Sequence, residues 1–296
     1  MMVPEALRDL KMWQLLTRDQ QDTIISELAT ALGPDYIHKK TTTYVNDPSF
    51  RIPTYEHIPS GLEFNLVVGG RLGMGLSVAE EQAGLNIGPE LSPYVDTMRP
   101  VHAVTVDPFL ITRFPVLESV AREYIQLDPD VFRPDFTNEE GDEVPIYLLR
   151  EELEALQAEL RFNLPSEAQW EYACRGGTET LFYFGDSLPD EVTLDTQIFL
   201  SIFNDEDRNT RAANPFGLVG LHIGEWCEDS FRDDYSNASD SDLPIKDGPP
   251  YVVRGGAAAL WPWQSGDEWI LCASAMRRSS ETLEEGTCGA RLVRSL

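Results

Sequence analysis

The stretch Leu164–Gly177, LPSEAQWEYACRGG, constrains this chain more than any other. Ser166 is a strong helix N-cap, and Gln169 follows three residues on, the spacing of a capping box that satisfies two orphan backbone donors at once. Trp170, Ala173 and Cys174 then share one helical face. Gly176 and Gly177 offer the left-handed exit that ends a helix. Taken alone, the pattern predicts one short amphipathic helix that sets a tryptophan into a core.

Four further segments follow: NPFGLVGLHIGEWCEDSF (Asn214–Phe231), VVRGGA (Val252–Ala257), CASAMRR (Cys272–Arg278) and GARLVRS (Gly289–Ser295). Upstream lie GLEFNLVVGGRLGMG (Gly61–Gly75) and RPVHAVTVDPFLITRFPV (Arg99–Val116). In this order and spacing the set resembles the formylglycine-generating enzyme, or sulfatase-modifying factor, family, over roughly Pro53 to Leu296. The resemblance implies an α+β fold, a loop-rich variant of the C-type lectin fold. Activity is a separate matter, because function belongs to sites and not to folds.

Asp and Glu number 50 against 23 Lys and Arg, a formal net charge of -27. Such a surface repels phosphate, which argues against nucleic acid and anionic membranes as partners. It suits a basic protein, a divalent cation or a saline cytoplasm, and it also simply keeps a protein soluble. The opening MMVPEALRDLKMW lacks the basic-then-apolar pattern of a secretory signal. No apolar run approaches the roughly 20 residues that span a bilayer. The expected compartment is therefore the cytoplasm, where Cys174, Cys227, Cys272 and Cys288 should be reduced. They form no C-x-x-C pair, which argues against a zinc knuckle or a thioredoxin-like site.

Residues 1–48 are expected to be an N-terminal helical extension, and 49–296 the family-like domain. Leu7, Leu10, Trp13, Leu15, Leu16, Ile24, Ile25, Leu28 and Leu32 form an apolar stripe, with Thr17 or Asp19 capping a second helix and Gly33-Pro34 stopping it. This hairpin either packs on the main domain or is available to a partner. Ile37–Ile58, polar and holding Pro53, reads as an irregular connector. Leu62–Val68, Val101–Val106 and Phe109–Phe114 read as strands, and the glycines at 69, 70, 73 and 75 as a strand turn, since no Gly-Lys-Ser/Thr follows them. Leu117–Leu127 and Ile146–Leu160 read as helices, with an acidic solvated loop, Asp128–Val144, between them. His102 reads as a structural strand residue and not a ligand.

The chemistry implied by the resemblance meets gaps. The family's oxidases use two cysteines shortly after the RGG strand, and a thiolate pair there binds copper. Here Leu260 and Trp261 stand in that region, and no cysteine lies between Gly256 and Cys272. Soft Cu(I) needs thiolates, so oxidase activity is not expected. The iron-dependent branch uses a His-x3-His-type cluster, and His38, His57, His102 and His222 are not spaced that way. Calcium remains a candidate: Glu225 matches the acid of the family's W-E-W motif, and Asn204 and Asp205 offer hard oxygen donors nearby in sequence. The alternative is that Glu225 accepts backbone hydrogen bonds in the core. Cys174 and Cys272 match positions that resemble a disulfide pair in some members, and in a reducing cytosol two adjacent buried thiols are expected.

Trp261, Trp263 and Trp269, with Asp267 and Glu268, occupy the segment where active relatives build their substrate groove. Exposed, they are a binding hot spot; buried, they fill a loop-rich core. Retroelement-diversified receptors resemble this fold and vary the same segment. Family-like domains without the cysteine pair accompany bacterial signalling and defence enzymes such as kinases and caspase-like proteases. The expected function is thus a non-catalytic, protein-binding or regulatory module, with no cofactor required. Arg208 and Arg211 would then lie in an exposed, cleavable loop. The rival reading is a divergent metal-dependent oxidoreductase of the same family.

Overall fold

The structure is a computed structural model. It describes residues 3–133, 145–187, 213–256, 266–283 and 286–296, of which 266–268 by their backbone alone. Two five-stranded sheets and a two-stranded ribbon carry the fold. The first sheet consists of β1 (Tyr36–Thr43), β2 (Arg51–His57), β3 (Leu62–Val67), then β6 (Phe109–Thr112) and β12 (Val293–Ser295), all antiparallel. The ribbon is β4 (Gly70–Met74) with β5 (His102–Val106). The second sheet runs in the order β10 (Arg277–Ser279), β9 (Tyr251–Arg254), β8 (Glu225–Ser230), β11 (Thr287–Ala290) and β7 (Leu148–Leu149), with β11 parallel to β8.

The N-terminal helices are docked. Helix α1 (Leu10–Leu15) buries Trp13 completely, and its indole donates to the Arg51 carbonyl at 3.0 Å. Helix α2 (Arg18–Leu32) starts with a Thr17–Gln20 capping box and lays Ile25, Leu28 and Leu32 on the main core. Buried Gln21 bridges the Trp13 and Ser49 carbonyls, each at 2.9 Å. The apolar stripe is therefore spent inside the protein, except at Leu15, which is 79% exposed.

Two sequence expectations fail here. The supposed connector Ile37–Ile58 contains the β1–β2 hairpin, so a boundary at residue 48 falls inside a paired unit of the main sheet. β1 is an edge strand with mostly exposed polar residues, which leaves no apolar alternation to read. Pro53 sits opposite Thr41 of β1, beyond the point where β2 pairs with β3, so its missing N–H breaks no ladder on that side. The supposed helix Ile146–Leu160 begins only at Arg150: Leu148 and Leu149 pair with Cys288 and Thr287, and the Glu152 carboxylate accepts the Leu149 N–H at 2.9 Å to open α5 (Arg150–Leu160). Helix α4 (Glu118–Tyr124) forms where expected.

Helix α3 (Val78–Ile87), capped by a Ser77–Glu80 box, belongs to a second, smaller apolar cluster with Leu91, Met98, Leu181 and Ile270. Gly84 explains the fit: a Cβ there would lie 2.5 Å from Leu91 Cδ2 and 3.1 Å from Ile270 Cδ1. Among the described residues no helix is long and apolar enough to cross a membrane.

Candidate functional site

The capping-box helix, α6 (Glu167–Arg175), forms as read, with both box hydrogen bonds present and Gly176 in the left-handed region at φ 58°. It is not amphipathic in place, however. Eight of its nine residues are buried, including Glu167, Glu171 and Arg175. Carboxylates in such surroundings need partners, because an isolated buried charge is very costly.

Those partners come from the other motif segments. Glu171 pairs with Arg175 at 2.9 Å and closely with Arg254 of β9, and accepts the Gly75 N–H at 3.0 Å. Burial opposes its charge, but the Arg254 and Arg175 guanidiniums outweigh burial and hold its carboxyl below the usual range. Arg175 reaches on to Glu80 of α3 at 2.7 Å. Glu167 takes Arg277 of β10 at 2.6 Å, Arg254 at 3.4 Å and the Tyr235 hydroxyl at 2.8 Å. Glu225 of β8 accepts the Trp170 indole at 2.7 Å and pairs with Arg291 at 2.9 Å. Arg291 in turn donates to the Arg113 carbonyl at 2.7 Å and to the Val219 carbonyl. Asn214 closes the other end of α6: its amide donates to the Ala173 and Cys174 carbonyls at 2.6 and 2.9 Å. The ordered motifs are thus one buried ion network wrapped around α6.

Glu225 is consequently a structural anion. Among the described residues its carboxylate faces the Trp170 indole and the Arg291 guanidinium; Asn204 and Asp205, the other expected calcium ligands, lie outside them. Burial outweighs both contacts and raises its carboxyl. Asp229 accepts the Glu167 and Ile245 N–H groups at 2.7 and 3.0 Å, yet burial and the Glu167 charge push it up to about 7.

On the far side of β9 the chain turns at Gly255 and Gly256. A Cβ on Gly256 would meet the His222 carbonyl oxygen at 2.0 Å and Cys272 Sγ at 3.0 Å, so only glycine fits. Around this turn gather His222, Cys272, Cys288, Arg278 and Tyr147. All four cysteines are free and buried. Burial pushes Cys174 and Cys288 up to about 12, and Cys272 and Cys227 further. Cys174 adds to the upward push on Cys272, consistent with two neighbouring thiols. Burial and the Arg291 charge bring His222 down to about 3, a neutral imidazole. Burial thus favours the thiol over the thiolate, the form that nucleophilic chemistry requires. Among the described residues no three His, Cys, Asp or Glu side chains gather as a metal would need. With no cysteine between Gly256 and Cys272, the thiolate pair that the family's copper needs after the RGG strand is missing, so the donor set around the turn does not fit it.

Of the residues expected to bind a partner, Trp269 is overturned: it is 3% exposed, inside the smaller apolar cluster and 6.2 Å from the His222 ring. A large ring next to Ile270 and Met276 gains more from the core than from water. Trp261, Trp263, Asn204, Asp205, Arg208 and Arg211 lie outside the described residues, as do the side chains of Asp267 and Glu268. His102 makes a structural contact, its ring 4.8 Å from Tyr235. Sequence reasoning missed the network itself, although Arg175, Arg254, Arg277 and Arg291 each stand in a motif segment that also carries, or packs on, a carboxylate.

The family model for the sulfatase-modifying factor enzyme 1-like domain matches residues 54–296. Curated relatives include the serine/threonine-protein kinase Pkn1 of Chlamydia trachomatis serovar L2, 30% identical over 145 residues, which are 45% of this chain and 21% of that protein. Its namesake from Chlamydia pneumoniae is 28% identical over the same length and shares. The matched part of the chain thus spans only about a fifth of those kinases. PvdO from Pseudomonas aeruginosa superposes with a TM-score of 0.55 at 17% identity, over 88% of this chain and 99% of that one, a likeness of fold. With the family model covering most of its length, this chain belongs to the sulfatase-modifying factor enzyme 1-like, or formylglycine-generating-enzyme-like, family.

Proposed function

We propose that this chain is a non-catalytic recognition module on the family scaffold, binding and regulating another protein. One observation carries the reading: the motif side chains are consumed by a buried ion network, and the thiols and imidazole beside the Gly255–Gly256 turn are held uncharged. The absence of any cysteine between Gly256 and Cys272 supports it. The partial similarity to proteins named serine/threonine kinases favours a bacterial signalling partner, a kinase or a caspase-like defence protease. The working compartment in this reading is the cytoplasm.

The test has two arms. Protein purified without chelator is analysed for transition metals and incubated with copper and a cysteine-containing peptide. No stoichiometric metal and no aldehyde product are expected; either one restores the oxidoreductase reading and overturns this one. In parallel, cross-linking in native lysate should trap a defined partner, identified by mass spectrometry as a signalling or defence enzyme. Recovery of the chain alone contradicts the proposal.

A further inference from the structure

Arg51, Arg113, Arg175, Arg254, Arg277 and Arg291 are buried, and each has a carboxylate oxygen within 3.5 Å. Arg278 is buried as well, at 8% exposure, and has no carboxylate partner among the described residues. Its Nη2 donates to the Gly256 carbonyl, and its Nε is buried without an acceptor. Successive residues of a strand point to opposite faces, so Arg277 enters the ion network while Arg278 points to the other side of β10.

Among the described residues, the surroundings of Arg278 offer no counter-charge. Tyr147, Cys272 and Cys288 feel its field, and burial keeps all three protonated. Glu225, whose charge also reaches Tyr147 and Cys288, is committed to Arg291 and Trp170. Space for the guanidinium is made by Gly224, where a Cβ would stand 3.2 Å from Nη2 and 3.1 Å from Cys288 Sγ. Among the described residues Arg278 is a buried cation held by the Gly256 carbonyl and by no carboxylate, and buried cations are strongly disfavoured unless something neutralises them.

We infer that Arg278 is the anchor of an anion-binding site beside the Gly255–Gly256 turn, taking a carboxylate. A guanidinium whose Nε lacks an acceptor matches a planar carboxylate better than it matches a halide. The carboxylate comes either from an acidic side chain or from a chain terminus. The site is independent of the partner proposed above: it is assayed with small molecules, and its failure leaves that reading standing.

Calorimetric titration at constant ionic strength separates the outcomes. Acetate, N-acetyl-glutamate α-amide (side-chain carboxylate) and N-acetyl-glutamine (terminal carboxylate) are compared with inorganic phosphate and chloride. At least one carboxylate is expected to bind the wild type, and the better of the two amino-acid probes names the source. Arg278→Met should weaken it by at least about tenfold, the worth of one charge-assisted pair. Arg278→Lys, which keeps the charge and loses the fork, should weaken it by less and guards against a misfolded Met variant. No carboxylate binding, a response to phosphate alone, or binding unchanged in Arg278→Lys and Arg278→Met overturns the assignment.

Discussion

Arg277 and Arg278 are chain neighbours with opposite fates. Arg277 is 1% exposed and sits in a web of Glu167, Tyr235 and Arg254, with its other donors on the Thr97 and Arg232 carbonyls at 2.9 and 2.7 Å. Arg278, on the other face of the same short strand, donates to one carbonyl and meets no acid among the described residues. One face of β9 and β10 is a closed set of ion pairs; on the other, Arg278 is a buried cation with no described carboxylate beside it. The difference separates what the family motifs do, which is hold the fold, from where a ligand can still act.

The largest predicted effect strikes the closed face. Arg254→Met strands Glu171 and weakens the hold on Glu167, and breaking a buried pair of this kind costs about 3–5 kcal/mol. Loss of soluble folded protein, or a urea midpoint lowered accordingly, is the expected readout; a near-neutral change would show that the network is dispensable. Glu225→Gln keeps an acceptor for Trp170 but leaves Arg291 unneutralised, with a cost of about 2–3 kcal/mol in the same assay.

Next comes a pH effect. Asp229 sits at about 7 in the folded protein against an ordinary value of 3.8. The folded state therefore holds this proton more tightly than the unfolded chain. The stability it contributes is full below about pH 4 and is lost as pH rises through about 7, by at most about 1.4 kcal/mol per pH unit. Melting curves across that range should fall with pH in the wild type and flatten in Asp229→Asn. A rising curve at this group contradicts the assignment.

The smallest predicted effect concerns the buried thiols. Because burial keeps the thiols protonated, a thiol reagent should modify no cysteine at neutral pH in the native protein and all four after unfolding in urea. Slow release of a disulfide by reductant would show that Cys174 and Cys272 are joined.

Much of the fold was legible because its signals are local. The box at Ser166, a cap at Thr17 or Asp19 and the exits at Gly176 and Gly33 depend on a few neighbouring residues; the box and exits form as read, and Thr17 is the residue that caps. The β1–β2 hairpin was missed because an edge strand such as Lys39–Thr43 buries too little to alternate, and Pro53 resembled a breaker until its pairing partner was known. The candidate site was less legible. Glu225 was read as a calcium ligand or an acceptor of amides, and its true partner, Arg291, lies 66 positions away. Trp269 carried a hot-spot composition, but composition does not say which way a ring faces. The position of Arg278 is not legible in the sequence, since a cation's partners are set by contacts across the fold.

Urea unfolding of Arg277→Met and Arg278→Met, side by side in carboxylate-free buffer, tests the contrast most directly. The account predicts a loss of about 3–5 kcal/mol for Arg277→Met, which strands Glu167. For Arg278→Met it predicts a change within about 0.5 kcal/mol of zero or a gain, because an apolar side chain replaces a charge that had no partner. Equal, large losses for both would show that Arg278 is as much part of the closed network as its neighbour.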